Sequence, residues 1–215
     1  MDDGKCRLYF CLKYIFRIQY SQSKGDSNVE KTEKEKNELW EWTKALLIAF
    51  AIAAFIRYFL FTPIVVDGES MMPTLENGDR MIVNKFSYKI GEPKRFDIVV
   101  FHAPEQKDYI KRVIGLPGDY IEYKDDQLYI NGKPYDEPYL DQYKAEITEG
   151  NLTYDFNLKD IDPSLDVIPE GYVFVMGDNR QYSKDSRHIG IVSIDEIIGN
   201  TSIVFWPLSE IEIVK

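Results

Sequence analysis

The sequence predicts a mainly β protein, an antiparallel β-sheet or barrel-like domain with a β-rich insertion, preceded by one N-terminal transmembrane helix. Three observations lead there. After residue 66, short apolar runs alternate with turn signals, the pattern of antiparallel strands. Ahead of them, residues 45–66 form an apolar run of 22 residues with one charge, Arg57, long enough to span a bilayer. Both cysteines, Cys6 and Cys11, precede that run, so the later domain holds no disulfide framework and no zinc site of the usual spacing.

Residues 1–44 read as a cytoplasmic N-terminal extension and charged linker. Within 5–20, Leu8, Cys11, Leu12 and Ile15 share one helical face between basic residues. A poorly ordered extension is favoured there over a helix lying on a membrane surface. No methionine occurs between Met1 and Met71, and Val29 is the expected translation start. Residues 21–38 are rich in Ser, Lys and Glu and read as a solvated linker.

Residues 45–66 are the expected anchor. Trp40 and Trp42 mark one interface, and Arg57 can snorkel at the other. No small-x-small cleavage site follows, so the run is read as uncleaved. Lys31, Lys34, Lys36 and Lys44 precede it, and the first basic residue after it is Arg80. The positive-inside rule then puts the N-terminus in the cytoplasm and residues 67–215 on the extracytoplasmic face.

The domain at 67–215 holds the strand candidates 81–83, 97–101, 109–114, 120–123, 128–130, 172–176 and 201–206. Residues 132–169 are polar, tyrosine-rich and punctuated by prolines, and read as an inserted subdomain. The one helical candidate of note is 193–198. Residues 64–215 carry 16 Lys/Arg against 28 Asp/Glu, which argues against nucleic acid as a partner.

Three blocks concentrate chemistry. The first is Gly68-Glu69-Ser70-Met71-Met72-Pro73-Thr74-Leu75, just beyond the apolar run. A serine is a poor nucleophile unless a neighbouring base takes its proton, and the only histidines are His102 and His188. The second block, residues 109–119, offers Lys111 instead. On a strand, Tyr109, Lys111 and Val113 share one face while Arg112 points to the other. A lysine base must be neutral near pH 7–8, so its pKa must fall by roughly three units, about 4 kcal/mol, which burial can supply. The third block, 177–190, packs Asp178, Arg180, Ser183, Lys184, Asp185, Ser186, Arg187 and His188 into one loop. Asp178 and Asp185 are natural partners for Arg112 and Arg187, and Arg180 and Lys184 read as surface ion pairs. Taken singly, a serine between glycine and proline is usually a turn residue, and a strand lysine usually faces solvent.

In this order behind an apolar run, the three blocks resemble the type I signal peptidases, membrane-bound serine–lysine endopeptidases that remove signal peptides from exported proteins. The resemblance runs from about Trp40 to the C-terminus. It implies Ser70 as nucleophile, Lys111 as general base and Ser183 holding the lysine amine, with Ser186 as the fallback. Asp178, Asp185, Arg112 and Arg187 become supports, and Met71 and Met72 line the substrate cleft. It implies preprotein signal peptides with small residues before the cut as substrates, the lipid bilayer as a partner, and no metal or organic cofactor. Two positions depart from the family pattern. Gly68 stands where some relatives offer an oxyanion-binding serine, and His188 stands where an aromatic ring is usual. A Ser70–His188–Asp185 triad is the disfavoured alternative, and His102 reads as a bystander. The competing function is a membrane-tethered β-rich binding module without activity. A self-cleaving repressor is disfavoured because no DNA-binding helices precede the domain.

Overall fold

The computed structural model describes residues 31–57, 61–207 and 212–214. The features expected of residues 1–30, including the amphipathic face over 8–15 and the start at Val29, lie outside the described residues. The chain divides into two compact units, Met1–Ala51 and Ile52–Lys215.

A single helix, Lys31–Phe55, runs from the charged linker into the apolar run. Residues 31–38 are thus helical and not an unstructured linker, which suits their content of Lys and Glu, both strong helix formers. Beyond them Trp42, Leu46, Leu47, Ile48 and Phe50 are all exposed. No helix among the described residues is long and apolar enough to cross a membrane. The expected span of 45–66 is divided instead, because its last part, Phe61–Val65, is a strand. Pro63 cannot serve a helix interior, and Thr62, Ile64, Val65 and Val66 are β-branched. Strand structure therefore reaches back to Phe61, ahead of residue 67.

Among the described residues, twelve strands build the β-rich domain: β1 (Phe61–Val65), β2 (Arg80–Asn84), β3 (Ile98–Ala103), β4 (Lys107–Gly115), β5 (Ile121–Lys124), β6 (Gln127–Ile130), β7 (Lys133–Tyr135), β8 (Phe156–Asn157), β9 (Tyr172–Met176), β10 (Val192–Ser193), β11 (Ile197–Trp206) and β12 (Glu212–Ile213). The larger sheet runs β1-β2-β11-β3-β4-β9-β10, with β12 on β11, and the smaller runs β7-β6-β5-β8. Each pairing is antiparallel. The expected helix at 193–198 is a short 3₁₀ turn, Ile194–Glu196, after which β11 begins. The smaller sheet starts at Ile121, so the inserted layer opens before residue 132. It is no loose excursion: Ile121, Tyr123, Leu128, Ile130 and Phe156 share one buried cluster with Ile114 and Phe174 of the larger sheet. Burying each such side chain is worth about 1.5–3 kcal/mol, enough to fuse the two layers.

Two strand edges matter for the site. The side of β1 away from β2 has no strand partner among the described residues. β4 pairs with β3 along Lys107–Arg112, but with β9 only from Arg112 onward, which leaves one side of its first half unpaired.

Candidate active site

Ser70 lies in the turn between β1 and β2, held by Met72 N–H to the Glu69 carbonyl (3.2 Å) and Leu75 N–H to the Met71 carbonyl (3.0 Å). Met71 and Leu75 sink into the core beneath it, 1% and 0% exposed. Gly68 enters the turn at φ +111°, a conformation that only glycine adopts readily, and donates its N–H to Asn77 Oδ1 at 2.9 Å. The Ser70 N–H makes no hydrogen bond among the described residues.

Lys111 comes to Ser70 from β4, opposite Val99 of β3. Its Nζ lies 2.7 Å from Ser70 Oγ and donates to the Ile110 carbonyl at 2.8 Å. The Tyr109 ring packs 5.1 Å from the amine. Lys111 is only 3% exposed, and it makes no salt bridge among the described residues. Burial pulls its pKa down to about 8, although the Asp185 and Asp178 charges push it back up.

Arg112, next along β4, turns to the opposite face and is fully buried. Its Nε and Nη2 grip the Asp178 carboxylate at 2.9 and 2.7 Å, and its Nη1 donates to the Phe96 carbonyl at 3.0 Å. Thr74, four residues beyond Ser70, donates its hydroxyl to the same carboxylate. Arg187 closes a second fork on Asp185, both bonds at 2.8 Å, and Gly177 N–H donates to that carboxylate at 3.0 Å. Burial alone would raise the Asp185 pKa, but the Arg187 guanidinium holds it below the ordinary value.

A cleft of about 470 Å³ opens over Ser70 and Lys111, lined by Ile64–Val66 of the β1 end, Val100 of β3 and Asp108–Ile110 of β4. Met71 lines it. Met72 does not, contrary to expectation. The block of residues 68–75 and the strand at 109–114 thus meet on one cleft floor.

A family model for signal peptidase, peptidase S26, matches residues 39–206. The chain belongs to that family. It is 49% identical to a signal peptidase I of Bacillus caldolyticus over 84% of this chain and 96% of the relative. It is 48% identical to a signal peptidase IB of Staphylococcus aureus, over 81% and 93%. A crystal structure of a signal peptidase I from Enterococcus faecalis is similar over 51% of this chain and 97% of that one, with 42% identity and a TM-score of 0.49.

In this S26 peptidase the loop behind the cleft departs from the sequence reading at three points. Ser183 does not hold the Lys111 amine: its Oγ is buried with no hydrogen-bond partner among the described residues. The amine is already bonded to Ser70 and Ile110. The Ser183 hydroxyl lies instead over Gly177, where a Cβ would collide with it and with the Ser70 carbonyl, and it faces the Asp185 carboxylate closely enough to help lower that pKa. Ser186 is turned away too, accepting from Val175 N–H at 2.9 Å. The third departure is Arg180, which is no surface residue. It is 2% exposed and paired with Glu137 of the smaller layer.

His188 is exposed, and the Asp185 carboxylate is taken by Arg187 and Gly177, so the alternative triad is not assembled. His102 pairs with Asp108 at 2.7 Å on the surface. Lys184 pairs with Glu105, also on the surface, as expected. Asn179 was not singled out from the sequence, yet it clamps the serine turn: its N–H donates to the Ser70 carbonyl (3.1 Å) and its Nδ2 to the Glu69 carbonyl (3.0 Å). Among the described residues no cluster of three or more His, Cys, Asp or Glu could hold a metal ion.

Proposed function

We propose that the chain is a membrane-bound serine endopeptidase that cleaves signal peptides from exported preproteins, with Ser70 as nucleophile and Lys111 as general base. One observation carries this reading: a buried amine 2.7 Å from a serine hydroxyl, with its pKa brought down to about 8 by burial. An amine that sheds its proton near neutrality can accept one from Ser70 Oγ as that oxygen attacks the scissile carbonyl. The proton then passes to the leaving amine, and an acyl-enzyme remains. Water attacks the acyl group, giving its proton to Lys111, and Ser70 regains a proton as the new carboxylate leaves.

The developing oxyanion needs donors, and the unbonded Ser70 N–H is one. Gly68 brings no hydroxyl, so the second is a backbone N–H or a water. The two unpaired edges, β1 and the first half of β4, flank the cleft and suit an extended peptide laid between them. Small residues before the cut would fill shallow pockets against Ile64, Val66 and Val100. Asp178, Asp185, Arg112 and Arg187 act as supports for the loop behind the cleft.

Tethering rests on the helix. Its apolar side chains are exposed together, as at a membrane or protein contact, and lipid is the cover this reading assigns. The N-terminus then lies in the cytoplasm and the β domain on the extracytoplasmic face.

The test is processing of a preprotein by the full chain in detergent or lipid. Ser70→Ala and Lys111→Ala should each abolish it. Full retention in either would leave the binding-module reading in its place.

A further inference from the structure

The smaller sheet sends a buried carboxylate into the back of the active-site loop. Glu137 is 4% exposed and pairs with Arg180, which is 2% exposed. The carboxylate also accepts from Tyr123 Oη at 2.8 Å and Tyr139 Oη at 2.7 Å. Arg180 takes further bonds on the same side, Nη1 to Tyr123 Oη at 2.9 Å and to Thr153 Oγ1 at 3.1 Å. Its other contacts face the site. Nε donates to the Gly177 carbonyl at 3.2 Å, and the Arg180 carbonyl accepts from Arg187 Nη2 at 2.7 Å.

Gly177 is the residue against which the Ser70 carbonyl and Ser183 both pack, and Asn179, beside Arg180, clamps the serine turn. A second strut runs in parallel. The Tyr139 ring stacks 3.9 Å from the Arg112 guanidinium, and Arg112 adjoins Lys111 on β4. Two struts from one short segment, Glu137 and Tyr139, therefore reach the two sides of the Ser70–Lys111 contact. Burial alone would raise the Glu137 pKa, but Arg180 and the two tyrosine hydroxyls hold it below the ordinary value, so the strut is ionised at working pH.

We infer that Glu137 is a positioning residue for the peptidase reaction, acting through Arg180 and the loop of residues 177–187 to hold Ser70 against Lys111. The inserted layer is then part of the catalytic machinery by way of this one carboxylate. The inference rests on the proposed Ser70–Lys111 chemistry.

The test is Glu137→Gln in the full chain, with signal-peptide cleavage followed across pH. The amide keeps the shape and loses the charge. The charges that act most on Lys111 are those of Asp185 and Asp178. Losing the Glu137 charge leaves the Arg180 cation unmatched, and its field would lower the Lys111 pKa, so a limb that moves to higher pH reports moved atoms and not a changed field. The expected result is a kcat lowered roughly tenfold or more at neutral pH with KM unchanged, as for a small misplacement of reacting groups. The acidic limb should also move to higher pH as water reaches the amine. A folded variant with wild-type kcat and limb would overturn the inference. If Glu137→Gln does not fold, Tyr139→Phe replaces it: one hydroxyl leaves the carboxylate while the ring stays on Arg112. A smaller change in the same two readouts supports the inference, and none overturns it. A wild-type chain that cleaves nothing would strike at the proposed function instead, before either variant is compared.

Discussion

The cleft floor and the loop behind it both bury cations, and they treat them in opposite ways. In the loop region each buried guanidinium has a carboxylate: Arg112 with Asp178, Arg187 with Asp185, and Arg180 with Glu137. On the cleft floor Lys111 is buried about as deeply and has only a hydroxyl and a carbonyl. Burial acts on a charge according to the partner it is buried with. With a forked partner the cation stays charged and becomes a structural rivet. Without one, desolvation works against the charge, and the proton becomes easy to remove. Arginine suits the first role because it does not deprotonate, and lysine suits the second because it can.

The contrast is broken most severely by Lys111→Arg. The variant keeps the cation, cannot release its proton, and should lose cleavage by a factor of at least about 10³, as for Ser70→Ala. Rates on a preprotein in detergent decide it. On the loop side the sharpest change is Arg112→Met. It strands the Asp178 carboxylate and should cost about 3–5 kcal/mol in a urea titration, whereas removing both partners with apolar residues should cost less than removing one.

Gly177→Ala tests the seam between the two regions. Its Cβ would press on the Ser70 carbonyl and Ser183, and a displacement near 1 Å should lower kcat by about 10²-fold while the fold persists. Kinetics beside circular dichroism would separate the two effects. The proton argument itself predicts a pH profile. As the proposed base Lys111 must be neutral, and burial brings its pKa to about 8, so kcat/KM should fall tenfold per pH unit below that value and level off above it. A limb near the ordinary lysine value would mean that the amine is wet. Smallest of all is Lys184→Ala, whose exposed pair with Glu105 should leave Tm unchanged in a thermal melt.

Much of this was legible in the chain. The strands around 81–83, 97–101, 109–114 and 172–176 stand out because short apolar runs end in turn residues. The alternation along β4 separates Lys111 from Arg112 without coordinates. What stayed hidden has physical causes. β1 lies inside an apolar run whose hydropathy is equally suited to lipid, and only pairing with β2 reveals a strand. Arg180 looks like solvent-facing charge because its partner, Glu137, is distant in sequence and their burial is a tertiary fact. The Ser183 expectation failed because a hydroxyl on a loop can turn to either side, and the empty space over Gly177 claimed it. The start of the inserted layer is hidden because β5 and β6 alternate like the strands before them.

The open flank between β1 and β4 has a consequence for timing. If the proposed substrate lies between them, it must be drawn out at about 3.3 Å per residue, so a folded domain abutting the cut would be shut out. Cleavage then has a deadline: it must come while the passenger just past its leader is still slack, and a mature protein that collapses early should keep its leader.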